Sequence, residues 1–415
     1  MKNPDHRAGL LRTKKPHRLG SAIYEGGRLI IHFHITGGIQ AFSFEQEYMY
    51  KDALEREAIT SQVLQNCSIS DSRHAGLFSI CGLALRLRDL YKWEKGLEPW
   101  VEKDSSEVLD WIGDKEDEWE RLADKNFRKI TILDRQYDPF ETQTINIVLE
   151  PHGLLYGAGY VHSLKPTFFL AVVEEKRDLN GTPVYILGRE LARDLFTVPA
   201  LSQDNCIIIR KESAVLFLWD QIFQIKKSGR KALEFALEDY GLSLREPETL
   251  HQNLAKIIDA EIGTYIHHEM GEIKDNAFDR NIWRKIIAAF PHTPVEHLTR
   301  AVKDLLADTE ENGTLQYIAG ERKNASLGFY VAFLDGLKKA LFPELKEVFQ
   351  TFTETNDWQV IEEAVLMGNN RARYYADELI RIYKAGEEDN DMEWAEREIE
   401  TALLYPLGVI KEKDR

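Results

Sequence analysis

Thr167-Phe168-Phe169-Leu170-Ala171-Val172-Val173-Glu174-Glu175-Lys176-Arg177-Asp178-Leu179-Asn180-Gly181-Thr182-Pro183-Val184-Tyr185-Ile186-Leu187 sets two runs rich in β-branched and aromatic residues on either side of an Asn-Gly pair. Asn-Gly in that position signals a hairpin, because both residues tolerate the positive φ of a tight turn. Outward from it, Lys129 to Leu133, Thr144 to Leu149, Leu154 to Val161 and Cys206 to Arg210 have the same texture. An antiparallel meander is therefore expected over residues 126–211, packed with 21–125. From Glu212 the apolar residues take helical spacing almost to the end, which predicts an all-α domain over 212–415. Strands and helices are segregated rather than alternating, so the expected class is α+β and a Rossmann sheet is not expected.

Within 21–125, Ile31, Phe33 and Ile35 alternate with Ile30, His32 and His34, and Gly37-Gly38 predicts a turn into a second run, Ile39 to Phe44. Helices are predicted over about 45–65 and 71–95, the second burying Leu77, Ile80, Cys81, Ala84, Leu87 and Tyr91. A third begins at Asp104, with Glu107 completing a capping box and Val108, Leu109, Ile112 and Trp119 buried. In the C-terminal half, Thr293-Pro294-Val295-Glu296 is a helix start of the same kind. Gly386 to Asp391 predicts an acidic loop before a last helix, Met392 to Leu404.

The 415 residues carry 53 basic and 69 acidic side chains, a net charge of −16. Such a balance argues against a broad nucleic-acid surface. The exception is residues 1–20, read as a basic flexible tail with Lys2, Arg7, Arg12, Lys14, Lys15 and Arg18 against Asp5. No run reaches the roughly 18 apolar residues of a membrane span. Cys67, Cys81 and Cys206 lack metal-type CxxC spacing and are expected to be free thiols, and no signal-peptide apolar region follows the first basic residues; a cytoplasmic protein is expected.

Chemistry concentrates in Glu261-Ile262-Gly263-Thr264-Tyr265-Ile266-His267-His268-Glu269-Met270-Gly271-Glu272. On a helix, Leu254, Ile257, Ile258, Ile262 and Tyr265 form an apolar stripe, and Glu261, His268, Glu269 and Glu272 project into or beside it. A carboxylate there must be protonated, ion-paired or metal-bound. These four residues are the candidate ligands for iron, manganese or zinc, with His292, His297, Glu363, Asp377 or Glu378 completing the shell. The competing expectation pairs the glutamates with Arg280, Arg284, Arg322, Arg371 or Arg373.

His268 to Glu272 resembles the local His-x-x-x-Glu pair of haemerythrin-like iron sites, and the resemblance implies a four-helix bundle with a non-haem diiron centre. It covers about six residues, and His251 falls on the same predicted helix instead of the preceding one. A second block, Ser79 to Trp100 (SICGLALRLRDLYKWEKGLEPW), resembles an uncharacterised bacterial protein family; that resemblance implies a bacterial cytoplasmic protein and transfers no functional residue.

Other constellations carry less. Glu174-x-Lys176 at a strand end has the form of a nuclease metal site, with Asp134, Asp138 or Glu150 as the second acid. Cys67, His74 and Cys81 recur every seven residues, about 10 Å along a helix, too far for one ion; they read as buried thiols. Tyr156-Gly157-Ala158-Gly159 does not continue as a dinucleotide motif, and Arg86 to Glu94 reads as a salt-bridged helix face. Without a complete catalytic constellation, the leading expectation is an interaction or regulatory protein acting on an unidentified protein partner. The alternative is a metal-binding oxidoreductase or hydrolase with its site in the helical domain.

Overall fold

The computed structural model describes residues 20–25, 28–35, 38–161, 164–278 and 280–410. The tail 1–19 and the Gly37 turn lie outside the described residues, as do the side chains of His32, His34 and Arg280. β1 (Gly20–Glu25), β2 (Arg28–Ile35) and β3 (Gly38–Ser43) form an antiparallel sheet, one strand more than the expected hairpin.

α1 (Phe44–His74) runs unbroken through Asn66, Ser70 and Asp71, where the sequence suggests a gap. These polar residues are buried and make contacts across the fold. Asn66 exchanges two hydrogen bonds with the Arg128 backbone, Ser70 donates to the Pro166 carbonyl, and Asp71 lies 3.0 Å from Lys165. The break falls at Ala75–Leu77, and α2 (Ile80–Glu94) starts with Ser79 accepting from the Gly82 amide. Ile80 in the first turn is consequently 88% exposed, and Cys81 is exposed rather than buried; Leu87 and Tyr91 are buried as expected. α3 (Ser105–Leu122) is capped by Asp104, but Glu107 accepts from the Tyr91 hydroxyl instead of closing the box. Trp119 is buried, whereas Leu109 is 65% exposed.

β4 (Ile130–Ile132) and β5 (Arg135–Tyr137) make a small hairpin. Thr144 to Leu149, expected as a strand, lies in α4 (Thr142–Leu149), where Ile145 and Leu149 share the buried face at helical spacing. The Asn146 amide bonds both backbone groups of Tyr156 at 2.8 Å, covering part of the edge of the main sheet.

That sheet has the order β6-β7-β8-β10-β9, from β6 (Leu154–Tyr160), β7 (Pro166–Leu179), β8 (Thr182–Arg193), β9 (Ala200–Gln203) and β10 (Cys206–Arg210). The β7–β8 turn is the predicted Asn180-Gly181, with φ of 53° and 83°. All neighbours are antiparallel except β8 and β10, which run parallel. The difference from a plain meander comes from β9, whose Ala-Leu-Ser-Gln run carries little strand signal. It turns through Asp204 and Asn205, both at positive φ, and inserts β10 beside β8.

From Lys211 onward only helices follow, giving the α+β division: α5 (Lys211–Phe223), α6 (Arg230–Glu238), α7 (Pro247–Lys274), α8 (Arg280–Ala289), α9 (Pro294–Thr309), α10 (Thr314–Gly320), α11 (Asn324–Phe333), α12 (Gly336–Leu341), α13 (Pro343–Thr355), α14 (Trp358–Glu388) and α15 (Met392–Ile399) among the described residues, the last continuing into a π turn over Glu400–Leu404. Thr293 caps α9 as predicted, and the Glu296 carboxylate reaches back to the His292 amide at 2.9 Å. α14 extends two residues beyond Gly386 into the expected acidic loop. None of the helices among the described residues is long and apolar enough to cross a membrane.

α7 positions the site. Ile262, Ile266 and Met270 pack on Ile207 and Ile209 of β10 and on Val184 and Ile186 of β8, while Ile208 points to the other side of the sheet. The rest of the circumference of α7 faces α5, α9 and α10, so polar side chains there enter the interior of the helical half.

Candidate functional site in the helical half

Gly271 fixes how closely α7 approaches α9. A side chain at this position would overlap the Ala307 carbonyl, so only glycine permits the contact. One turn earlier, His268 Nδ1 consequently meets Asp308 Oδ1 at 2.8 Å, and its Nε2 lies 3.8 Å from Glu272. Asp308 also accepts from the Tyr330 hydroxyl at 2.7 Å and sits 3.0 Å from Lys338 Nζ. Glu272 is ion-paired with Lys303, whose ammonium lies 5.1 Å from the Trp283 ring centre.

The electrostatics follow from these contacts. Burial opposes ionisation of Asp308, but Lys338 and His268 outweigh it and hold its carboxyl well below the usual range. Burial likewise opposes a charge on His268; Asp308, then Glu269 and Glu272, overcome it and push the imidazolium up to about 9. Glu272 is lowered, with Lys303 and His268 overriding burial. Glu269 goes the other way, raised to about 7 by burial and by the neighbouring Glu272.

A cavity of about 540 Å³ opens beside this cluster, walled by α5, α7, α10, α11 and α12 and by Val198, Pro199 and Ala200 from the sheet half. Its lining is largely apolar, including Phe217, Ile257, Ile258, Phe329, Phe333 and Leu334. Glu269 reaches it at 6% exposure and makes no hydrogen bond or ion pair among the described residues. Glu261 reaches it two turns earlier, accepting from Tyr240 at 2.7 Å and Ser326 at 2.6 Å.

The four residues singled out in the sequence thus line one side of α7 but do not converge. His268 and Glu272 come together with Asp304, their ligand atoms all within 4.8 Å; Glu261 stands apart and Glu269 turns to the cavity. The other expected ligands go elsewhere. Glu363 accepts from Gln359, Glu378 binds Arg381, and the His292 amide donates to Glu296. A diiron centre does not fit these groups as they stand: Lys303 already occupies Glu272 and Lys338 occupies Asp308, so an ion at His268, Glu272 and Asp304 would have to displace Lys303. The arginine expectation also needs correction, since Arg322, Arg371 and Arg373 pair with Glu362, Glu344 and Glu310. In the Glu174-x-Lys176 pattern, Glu174 pairs with Lys211 and Lys176 with Glu150, one of the expected second acids. Asp304, Asp308, Tyr330 and Lys338 were missed, although Asp304 and Asp308, spaced four apart around Leu305 and Leu306, are the same signal of acids on a buried helix.

The chain belongs to a family of unknown function, DUF6866: its N-terminal domain matches residues 58–210 and its C-terminal domain residues 215–402. The Ser79 to Trp100 block lies within the first match. Neither a curated protein nor a solved structure matches. The cavity is built from both family domains, with Val198 to Ala200 from the first and its other walls from the second.

Proposed function

We propose that the protein is a cytoplasmic ligand-binding protein with a regulatory role, whose site is the cavity against α7, and that it takes a small organic molecule with an apolar body and a hydrogen-bond-donating head. Glu269 carries this reading. A buried carboxylate without a partner costs several kcal/mol when ionised, and a donor from a ligand in the cavity supplies what the fold leaves out. The apolar walls suit the rest of such a molecule. Because the walls come from both family domains, an occupant would tie the sheet half to the helical half, which supports ligand-dependent exposure of a partner surface. The raised carboxyl of Glu269 favours one second reading, an enzyme using it as proton acceptor.

A thermal-shift screen of the full chain against neutral, anionic and cationic small molecules tests the proposal, with Leu334→Trp as the cavity-filling variant. At least one class is expected to stabilise the wild type and to lose its effect in the variant. No stabilisation by any class, or stabilisation indifferent to the filled cavity, contradicts it; turnover of a bound compound moves the account to the enzyme reading.

A further inference from the structure

We infer that the ligand is a linear diamine or polyamine, held at its two ends by Glu261 and Glu269. The inference rests on the cavity being a ligand site and adds the chemistry of the guest.

Glu261 and Glu269 lie eight residues apart on α7, about 12 Å along its axis. Both are 6% exposed and both line the cavity. The lining holds two further acids, Asp308 and Asp335, and two basic side chains, His268 and Lys338. Both bases contact Asp308, and Asp335 pairs with Lys226. What remains is a pair of separated carboxylates facing one space with no cation in contact among the described residues; His268 and Lys303 act on Glu269 only from a distance. Glu261 is held only by neutral hydroxyls, from Tyr240 and Ser326, which leaves acceptor positions on its oxygens free. Among the described residues, Glu269 has no donor.

This charge pattern selects among guests. An anion would meet two uncompensated carboxylates. A single inorganic divalent ion cannot reach two groups that stand about 12 Å apart. A neutral apolar molecule would leave both charges buried and unanswered. A dication with a hydrocarbon spacer answers both, and the wall between the ends is suited to the spacer: Tyr265 lies midway between the two glutamates on α7, with Phe329 among the lining residues. Aromatic faces also favour ammonium groups directly. An extended chain advances about 3.6 Å for every three bonds, so the gap, less the reach of the two side chains, corresponds to about five to nine bonds between nitrogens.

Isothermal titration of the full chain at pH 8 with 1,6-diaminohexane, spermidine, hexylamine, 1,6-hexanediol and adipate tests the inference. The diamines should bind one per chain and roughly 10- to 100-fold tighter than hexylamine, each charge-assisted hydrogen bond contributing about a factor of ten or more. Glu261→Gln and Glu269→Gln should each lower diamine affinity to the monoamine level. The ratio of diamine to monoamine affinity in the wild type needs no variant and stands even if one fails to fold. Equal affinity for hexylamine and 1,6-diaminohexane overturns the two-ended grip. Binding of the diol or the diacid in place of amines, lost in Leu334→Trp, overturns the amine assignment but leaves the cavity as a ligand site. No binding by any compound, here or in the wider screen, overturns both.

Discussion

The protein buries charge in two places, and the two are built differently. In the sheet half, Lys165 lies 3.0 Å from Asp71 and 3.2 Å from Asp194, while Glu190 lies 2.8 Å from Arg210 and 3.6 Å from Arg193. All six side chains are buried, and each has an opposite charge against it. Beside α7 the charges border a cavity, and among the described residues Glu269 has no such neighbour in contact. Ion pairs of the first kind set each charge against an opposite one and tie α1 to the sheet, although Glu190 Oε2, Arg193 Nε and Arg210 Nη2 keep no hydrogen-bond partner among the described residues. An open carboxylate of the second kind is a cost to the isolated fold that a bound molecule can remove.

The largest expected effect breaks the closed network. Lys165→Met leaves Asp71 and Asp194 facing each other in the interior and should cost about 3–5 kcal/mol in a denaturant titration. Glu269→Gln should be neutral or stabilising at pH 8, since it removes an unpaired charge; an equally large loss there would erase the distinction between the two regions. Next comes Gly271→Ala. Its methyl group has no space against the Ala307 carbonyl, so α7 and α9 must separate, at about 1–3 kcal/mol. Diamine affinity should fall with stability, whereas Gly159→Ala, with open space around the added methyl group, should change neither.

The pH dependence sharpens the comparison further. The Glu269 carboxyl is raised from 4.5 to about 7, so the folded state holds its proton where the unfolded state has lost it. Stability should therefore decline as pH rises through this window and level off above it, and diamine binding should strengthen over the same range as the carboxylate forms. Asp71, also raised to about 7, adds a decline of the same sign. The difference between wild type and Glu269→Gln isolates the first group: it should be near zero at pH 4.5 and reach about 1–3 kcal/mol by pH 8. A pH-independent difference would place Glu269 outside the account. The smallest effect concerns metal. With Lys303 and Lys338 on the acids around His268, added iron, manganese or zinc should not raise the melting temperature; a stoichiometric metal in elemental analysis would reinstate the His268, Glu272 and Asp304 cluster as a metal site.

The class of fold was legible because it rests on local signals. Asn180-Gly181, Asp104 and Thr293 do what their positions imply, since turns and caps depend on a few consecutive residues. Pairing β10 in parallel with β8 was not legible, because it depends on a weak edge strand and a loop that crosses the sheet. α1 was broken too early because Asn66, Ser70 and Asp71 look like a solvated gap until their distant partners are known. The site was half visible for the same reason. Acids on an apolar helix stripe mark α7 as unusual, but whether they meet a metal, an arginine or a cavity is decided by α9, α11 and α12, whose residues lie far along the sequence and adjacent in space.

The central claim is that the cavity against α7 holds a small organic guest through Glu269. Native mass spectrometry of the full chain, purified without exposure to amines and then mixed with 1,6-diaminohexane at pH 8, tests it most directly. The account predicts a single adduct of the diamine mass on the wild type, a much weaker one on Glu269→Gln and none on Leu334→Trp. Adducts of equal abundance on all three proteins, or on none, would contradict it.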